Sequence, residues 1–254
     1  MVLSKVFDTN KVTLIINGTN YEGWERVSIS RNLEAVAGSF SLAVFDRWRQ
    51  GLEAWTIKPG DQCTVKIGKD FLISGYVDAV ESLFEAENRL ITVRGRDKTA
   101  DLADCSIITD KSQYKNKTIE ELAKIFVEPF GIKVTALTDV GEPFEKWDVT
   151  QGETVWENLE RMSKQRGVLF ISNERGDLEI VRAGESRSSG QIVQGENLKA
   201  GNVIYDDTDR FSEYIVKGQR AGNDNVKGAD AAHNEGSATD EGVERYRPYL
   251  TVGS

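Results

Sequence analysis

The chain has 254 residues, 39% apolar and 29% charged, with 32 basic against 41 acidic side chains and a net charge of −9. That length accommodates about two domains with cores of their own, and the acidic balance argues against tight binding to phosphate backbones, which needs clustered Lys and Arg. No run approaches the ~20 apolar residues of a membrane span; the start, Met1-Val2-Leu3-Ser4, carries no signal-peptide pattern; and a single histidine leaves little for acid–base or metal chemistry near neutral pH.

In chain order, Lys11–Gly18 is a β-branched run closed by Asn17-Gly18, the dipeptide of a type I′ hairpin turn. Tyr21–Arg31 is the expected partner strand. Gly38–Phe45 alternates, with Phe40, Leu42 and Val44 on one face. Residues 46–60 read as a loop carrying Trp48 and Trp55. Gln62–Ile67, Phe71–Tyr76, Val77–Phe84 and Leu90–Arg94 complete a set of short strands with tight turns. That pattern predicts a small antiparallel barrel or sandwich over residues 1–104.

After Thr99 the period becomes helical. Thr118-Ile-Glu-Glu121 and Thr154-Val-Trp-Glu157 are capping boxes, in which threonine and glutamate satisfy orphan backbone N–H groups. Each precedes an apolar stripe. Pro129 ends the first helix, and Gly167 sits where a left-handed residue ends the second. Strands are expected at Ile132–Ala136, Val168–Ser172 and Asp177–Arg182. Residues 105–185 thus form an α/β module inserted into the chain. From 186 to 254 strands are expected at Ile192-Val193, Asn202–Tyr205, Glu213–Gly218 and after Pro248, with a long polar loop at 221–242. The fold class is α+β, mainly β: an N-terminal barrel, the module, and part of a second, incomplete barrel.

Candidate chemistry is sparse. Asp206, Asp207 and Asp209 resemble fragments of calcium loops but lack the glycine and terminal glutamate of an EF-hand, so a solvated loop is expected. His233 lies alone in the polar loop without a second ligand. No GxGxxG or Walker pattern occurs. Cys63 and Cys105 have no metal-ligand spacing and are read as free thiols, Cys105 as a small buried side chain. No catalytic, cofactor or metal residue is assigned. Trp24 and Trp156 fit core positions. Trp48 and Trp55 are expected as interface anchors, a sugar platform being the alternative.

The densest cluster is Arg94-Gly95-Arg96-Asp97-Lys98-Thr99-Ala100-Asp101-Leu102. It fits three readings: an active site, an anion site, or ion pairs at a domain junction or subunit contact. Asp97 and Asp101 would repel an anion, and the chain offers no catalytic partner, so Arg94, Arg96, Asp97 and Asp101 are read as junction or interface residues. Asp97 or Thr99 is placed to cap a short helix through Leu102.

Several blocks in the same order resemble one family: Glu34–Leu42, Gly95–Leu102, Glu153–Ser172, Arg210-Phe-Ser-Glu-Tyr-Ile-Val-Lys-Gly218 and Arg245-Tyr-Arg-Pro248. They are similar to the tail proteins of phage Mu and Mu-like prophages, the baseplate hub proteins of contractile tails. The resemblance implies a non-enzymatic homotrimer without cofactors, in the tail baseplate of a virion assembled in the host cytoplasm. Its ring resembles the T-even phage hub and the base of type VI secretion spikes, two related barrels per subunit adapting a sixfold tail tube to a threefold spike. DNA would pass without specific binding, and the spike and other baseplate proteins would be partners. On this reading Arg210, Glu213, Arg245 and Arg247 join the structural or interface residues. The family continues beyond the Arg245–Pro248 block, so the second barrel is expected to be incomplete here. A carbohydrate-binding or cell-wall-hydrolysing tail-tip module is the alternative function.

Overall fold

The computed structural model describes residues 11–33, 35–46, 57–84, 89–182, 184, 190–198, 200–218 and 234–253. By contact the chain divides into two units, Met1–Ser186 and Arg187–Ser254.

The first unit opens with strands β1 (Val12–Ile16), β2 (Thr19–Tyr21), β3 (Arg26–Ser30), β4 (Ser39–Asp46), β5 (Gln62–Ile67), β6 (Asp70–Phe84) and β7 (Arg89–Asp97). They form one seven-stranded sheet in the order β2-β1-β5-β6-β7-β4-β3, every pairing antiparallel. Asn17 and Gly18 both have positive φ, 50° and 78°, as a two-residue hairpin turn between β1 and β2 requires.

Two expectations for this sheet are corrected. The strand expected over Tyr21–Arg31 is split. Thr19–Tyr21 pairs with β1, whereas Arg26–Ser30 lies at the far edge against β4, with Ile29 opposite Phe40. The strands expected on either side of Val77 are one 15-residue strand, β6, with a register shift between Val77 and Ala79. That bulge lets the strand bend and stay continuous, so no turn is needed.

Leu14, Leu42, Val65, Ile73 and Val93 are fully buried in one cluster drawn from β1, β4, β5, β6 and β7. No member of that cluster comes from the helices that follow. That face is buried by the strands' own side chains together with Ile57, which precedes β5. Gly95 sits opposite Phe40, and a Cβ there would lie 2.6 Å from the Phe40 ring and 2.2 Å from the Tyr76 carbonyl oxygen. Glycine lets the ring lie against the neighbouring strand.

The rest of the first unit is α1 (Ala100–Asp104), β8 (Gln113–Lys117), α2 (Ile119–Val127), a 3₁₀ turn (Glu128–Phe130), β9 (Val134–Ala136), β10 (Phe144–Asp148), α3 (Val155–Arg166), β11 (Leu169–Ser172) and β12 (Leu178–Val181). Both capping boxes are formed: Thr118 with Glu121 and Thr154 with Glu157. Gly167 ends α3 in the left-handed conformation. The hairpin of β11 and β12 is extended by β9, which runs parallel to β12. The pairing of β8 with β10 was not anticipated; both are short and polar. The helices present Leu122, Phe126, Leu159 and Met162 to a core shared with Phe170 and Ile180. Leu102 of α1 and Val36, from the loop before β4, belong to that core, so it reaches back before residue 105.

The second unit contains β13 (Glu213–Gly218), β14 (Asn234–Thr239) and β15 (Pro248–Gly253) in the order β14-β13-β15. β13 is antiparallel to β14 and parallel to β15. Residues 234–239, expected inside the polar loop, are therefore a strand. The strands expected at Ile192-Val193 and Asn202–Tyr205 are absent; Ile192, Val203, Ile204 and Tyr205 are exposed. A β-branched run without a partner strand has nowhere to place its main-chain hydrogen bonds. Phe211, Tyr214 and Tyr249 make an aromatic cluster, with Phe211 and Tyr249 centroids 4.9 Å apart.

Candidate functional site: the Asp97 junction

β7 ends at Asp97, where the antiparallel sheet meets the α/β module. The Asp97 side chain is 2% exposed. One carboxylate oxygen accepts the Gly38 N–H at 2.7 Å and the Ser172 hydroxyl at 2.9 Å. The other accepts the Thr99 N–H at 3.0 Å and the Thr99 hydroxyl. Four donors from three segments fill the acceptor sites of this buried carboxyl group. Thr99 also reaches the Val36 carbonyl at 2.9 Å. The loop before β4, the end of β7, the start of α1 and the end of β11 thus meet at one carboxylate.

A second set of contacts surrounds it. Lys98 Nζ lies 3.4 Å from Asp177, whose carboxylate also accepts the Lys133 N–H at 3.2 Å. The Ser74 hydroxyl donates to the Glu174 carbonyl at 2.9 Å. Arg31 donates to the carbonyls of Ser172 and Leu72. The turn between β11 and β12 is pressed against β6. Gly176, at φ 72°, would place a Cβ 2.6 Å from the Ser74 carbonyl oxygen and 2.9 Å from Lys98 Cε.

The geometry separates the four charges read together in the sequence. Arg96 is on the surface, bonded to Asp104 at 2.7 Å and Asp78 at 2.8 Å, and these two carboxylates raise its pKa. Arg96 in turn holds the Asp104 carboxyl below its ordinary range. Asp101 is shifted the other way, first by burial and then by the nearby Asp104. Arg94 and Glu81 are exposed and 3.7 Å apart. Only Asp97 reaches the α/β hairpin. Thr99 is the N-cap residue of α1 but makes no capping bond, because its hydroxyl serves Asp97 and Val36; the helix runs on to Asp104.

Other expected positions are placed as follows. Cys105 is exposed and Cys63 is the buried thiol, the reverse of the expectation for Cys105. Cys105 follows the last turn of α1 and leaves the helix in extended conformation, which carries it away from the core. Burial pushes the Cys63 thiol up to about 12. Trp24 and Trp156 are partly buried against the two cores, and Trp147 is buried at 3%. Trp48, Trp55 and His233 lie outside the described residues. Among the described residues no three His, Cys, Asp or Glu side chains assemble as a metal site; Asp206 accepts hydrogen bonds from Thr208. No helix among them is long and apolar enough to cross a membrane.

In the second unit Arg210 grips Asp240 through two bonds of 2.6 and 2.9 Å. Arg247 donates to the Asp207 and Thr208 carbonyls at 3.1 and 2.7 Å and lies over the Phe211 ring. Both tie the β13 entrance to its neighbours. Glu213 is half-buried in register with Thr239 and Pro248, and Arg245 is exposed.

Sequence reasoning singled out Asp97 and Lys98 but missed Gly38, Ser172, Asp177, Ser74 and Arg31. Ser172 is 75 residues from Asp97. Nothing local marks a lone serine at the end of a strand.

An antiparallel sheet followed by a capped two-helix α/β module is the architecture of a class of phage tail proteins. Residues 11–97 match the family described as Mu phage baseplate assembly protein GpP-like, N-terminal, and residues 99–182 match baseplate hub protein gp44-like, second domain. The seam between them falls at Asp97 and Thr99. The chain is 38% identical over 251 residues to the baseplate hub protein gp44 of Escherichia phage Mu, covering 96% of this chain and 65% of that protein. It is 38% identical to the 43 kDa tail protein of prophage MuSo2 from Shewanella oneidensis, with a TM-score of 0.81, covering 96% of this chain and 72% of that one. The fold is also that of the tail protein from Neisseria meningitidis MC58, with TM-score 0.71 at 23% identity, over 96% of this chain and 71% of that one. The chain belongs to the Mu-like prophage tail protein family. It spans 65% of the length of its curated Mu relative.

Proposed function

We propose that the chain is a non-enzymatic structural subunit of the baseplate hub of a contractile phage or prophage tail. Three copies form a ring that joins a sixfold tail tube to a threefold spike and lets DNA pass. The ring, the spike and tube partners, and residence in the virion tail after assembly in the host cytoplasm are parts of this reading. The observation that carries it is the 38% identity to the Mu hub protein, sustained along 96% of the chain.

Two physical features support the reading. The Asp97 junction ties the antiparallel sheet to the α/β module, and a block that keeps its shape is what a ring that transmits force requires. The net charge of −9 gives a ring of such subunits a field that keeps DNA off its wall.

Light scattering tests the assembly. At micromolar concentration the purified protein is expected to show three times the 28.3 kDa mass of one chain. A monomer across that range contradicts the ring.

A further inference from the structure

The turn between β1 and β2 carries chemistry that the hub reading does not use. Asn17-Gly18 is the only Asn-Gly pair in the chain, and asparagine is a chemically labile residue. The pair closes a two-residue turn in which Ile16 lies opposite Thr19. Asn17 stands at φ 50° and Gly18 at φ 78°, both left-handed. Asn17 and Gly18 are exposed, and nothing lies within 4 Å of the position a Cβ would take at Gly18. Among the described residues, neither the Asn17 carboxamide nor the Gly18 N–H has a hydrogen-bond partner. β2 has only three residues and is the outermost strand of its sheet, with Thr19 and Asn20 exposed. So short an edge strand opens at little cost.

We infer that Asn17 is a site of spontaneous deamidation. Hydroxide takes the proton of the Gly18 main-chain N–H, and that nitrogen attacks Asn17 Cγ. A C–N bond forms and closes a five-membered succinimide, the Cγ–Nδ2 bond breaks, and ammonia leaves with a proton from water. Water then adds to one of the two ring carbonyls and opens the ring. Opening on one side leaves aspartate; opening on the other leaves isoaspartate, in which the main chain runs through Cγ. Ring closure requires the Asn17–Gly18 peptide to rotate out of the left-handed turn, so the reaction passes through the opened hairpin. Glycine permits that rotation and leaves its nitrogen unshielded. Either product adds a negative charge. Isoaspartate also adds a main-chain carbon to a two-residue turn that sets the register of β1 with β2.

Other asparagines lack this combination. Asn20, Asn116 and Asn202 are exposed but precede Tyr21, Lys117 and Val203, whose side chains shield the attacking nitrogen. Asn173 is half-buried, and its carboxamide is bonded to Glu179 and to the N–H groups of Arg175 and Asp177. The inference is independent of the hub reading, so either can fail alone.

The test holds the full chain for days in mildly alkaline buffer and follows each asparagine by mass spectrometry of its protease digest. Cleavage after Lys11 and Arg26 leaves Asn17 and Asn20 in one peptide, where fragmentation tells them apart. Asn17 is expected to exchange amine for hydroxyl about tenfold or more faster than Asn20, Asn116 or Asn202. Part of the product is expected to accept methyl groups from an isoaspartyl methyltransferase. Gly18→Ala strains and loosens the turn, which by itself would speed the reaction. It is nonetheless expected to slow conversion about tenfold, because a Cβ then stands beside the attacking nitrogen. Conversion at Asn17 no faster than at Asn20, a product without isoaspartate, or no slowing by Gly18→Ala overturns the proposal.

Discussion

The Ser172 hydroxyl donates a 2.9 Å hydrogen bond to the buried Asp97 carboxylate, joining the last residue of β11 to the last residue of β7. That bond crosses the seam between two consecutive domains. Asp97 also holds Gly38 and Thr99, so one buried side chain ties the sheet to the module, beside the Lys98–Asp177, Ser74–Glu174 and Arg31–Ser172 contacts.

The turn that docks on β6 makes a prediction of its own. Gly176→Ala meets a positive φ and two atoms closer than 3.0 Å, one of them backbone that cannot swing away. The substitution is expected to cost about 1–3 kcal/mol in urea unfolding. A stability unchanged from the parent would show that the turn does not press on Ser74.

Thiol chemistry separates the two cysteines. Cys63 is 2% exposed with its pKa raised to about 12, whereas Cys105 is at the surface. Since the thiolate is the reactive form, a disulfide reagent at pH 8 is expected to modify Cys105 quickly and Cys63 only after denaturation. Cys105→Ser should remove the fast phase.

A pH effect follows from Glu153. Burial raises its carboxyl, but the opposing bonds from Arg161, at 2.9 and 3.0 Å, and from Asn158 outweigh it, and the net shift is downward. A carboxyl lowered on folding stabilises the native state above its unfolded pKa of about 4.3, and that contribution is lost as pH falls through the folded value. Glu153→Gln is therefore expected to lower stability near neutrality and to flatten the decline below about pH 4.3. Equal slopes for parent and variant would contradict it.

How much was legible follows from the range of each interaction. The capping boxes at Thr118 and Thr154 close within four residues and could be read directly. So could β5 and β13, whose alternation and flanking turns are local. β3 was assigned to the wrong neighbour because its pairing with β4 against the sheet order is a tertiary choice. β8 and β10 escaped notice because their strands are short, polar and separated by α2 and β9. Asn202–Tyr205 looked like a strand because β propensity was read without a partner to pair with. At the junction, the charge density around Gly95 groups Arg96 with Asp97. Burial decides between them, and burial of Asp97 depends on Gly38 and Ser172, residues remote in sequence.

The central structural claim is that Asp97, and not the arginines beside it, locks the two domains together. Equilibrium denaturation of Asp97→Ala and Arg96→Ala tests it most directly. Removing Asp97 strands buried donors at Gly38 and Thr99 and is expected to cost about 3–5 kcal/mol. Removing Arg96 breaks ion pairs that are more than a third exposed on each side and is expected to cost at most about 1 kcal/mol. Equal losses, or a larger loss for Arg96→Ala, would contradict the account.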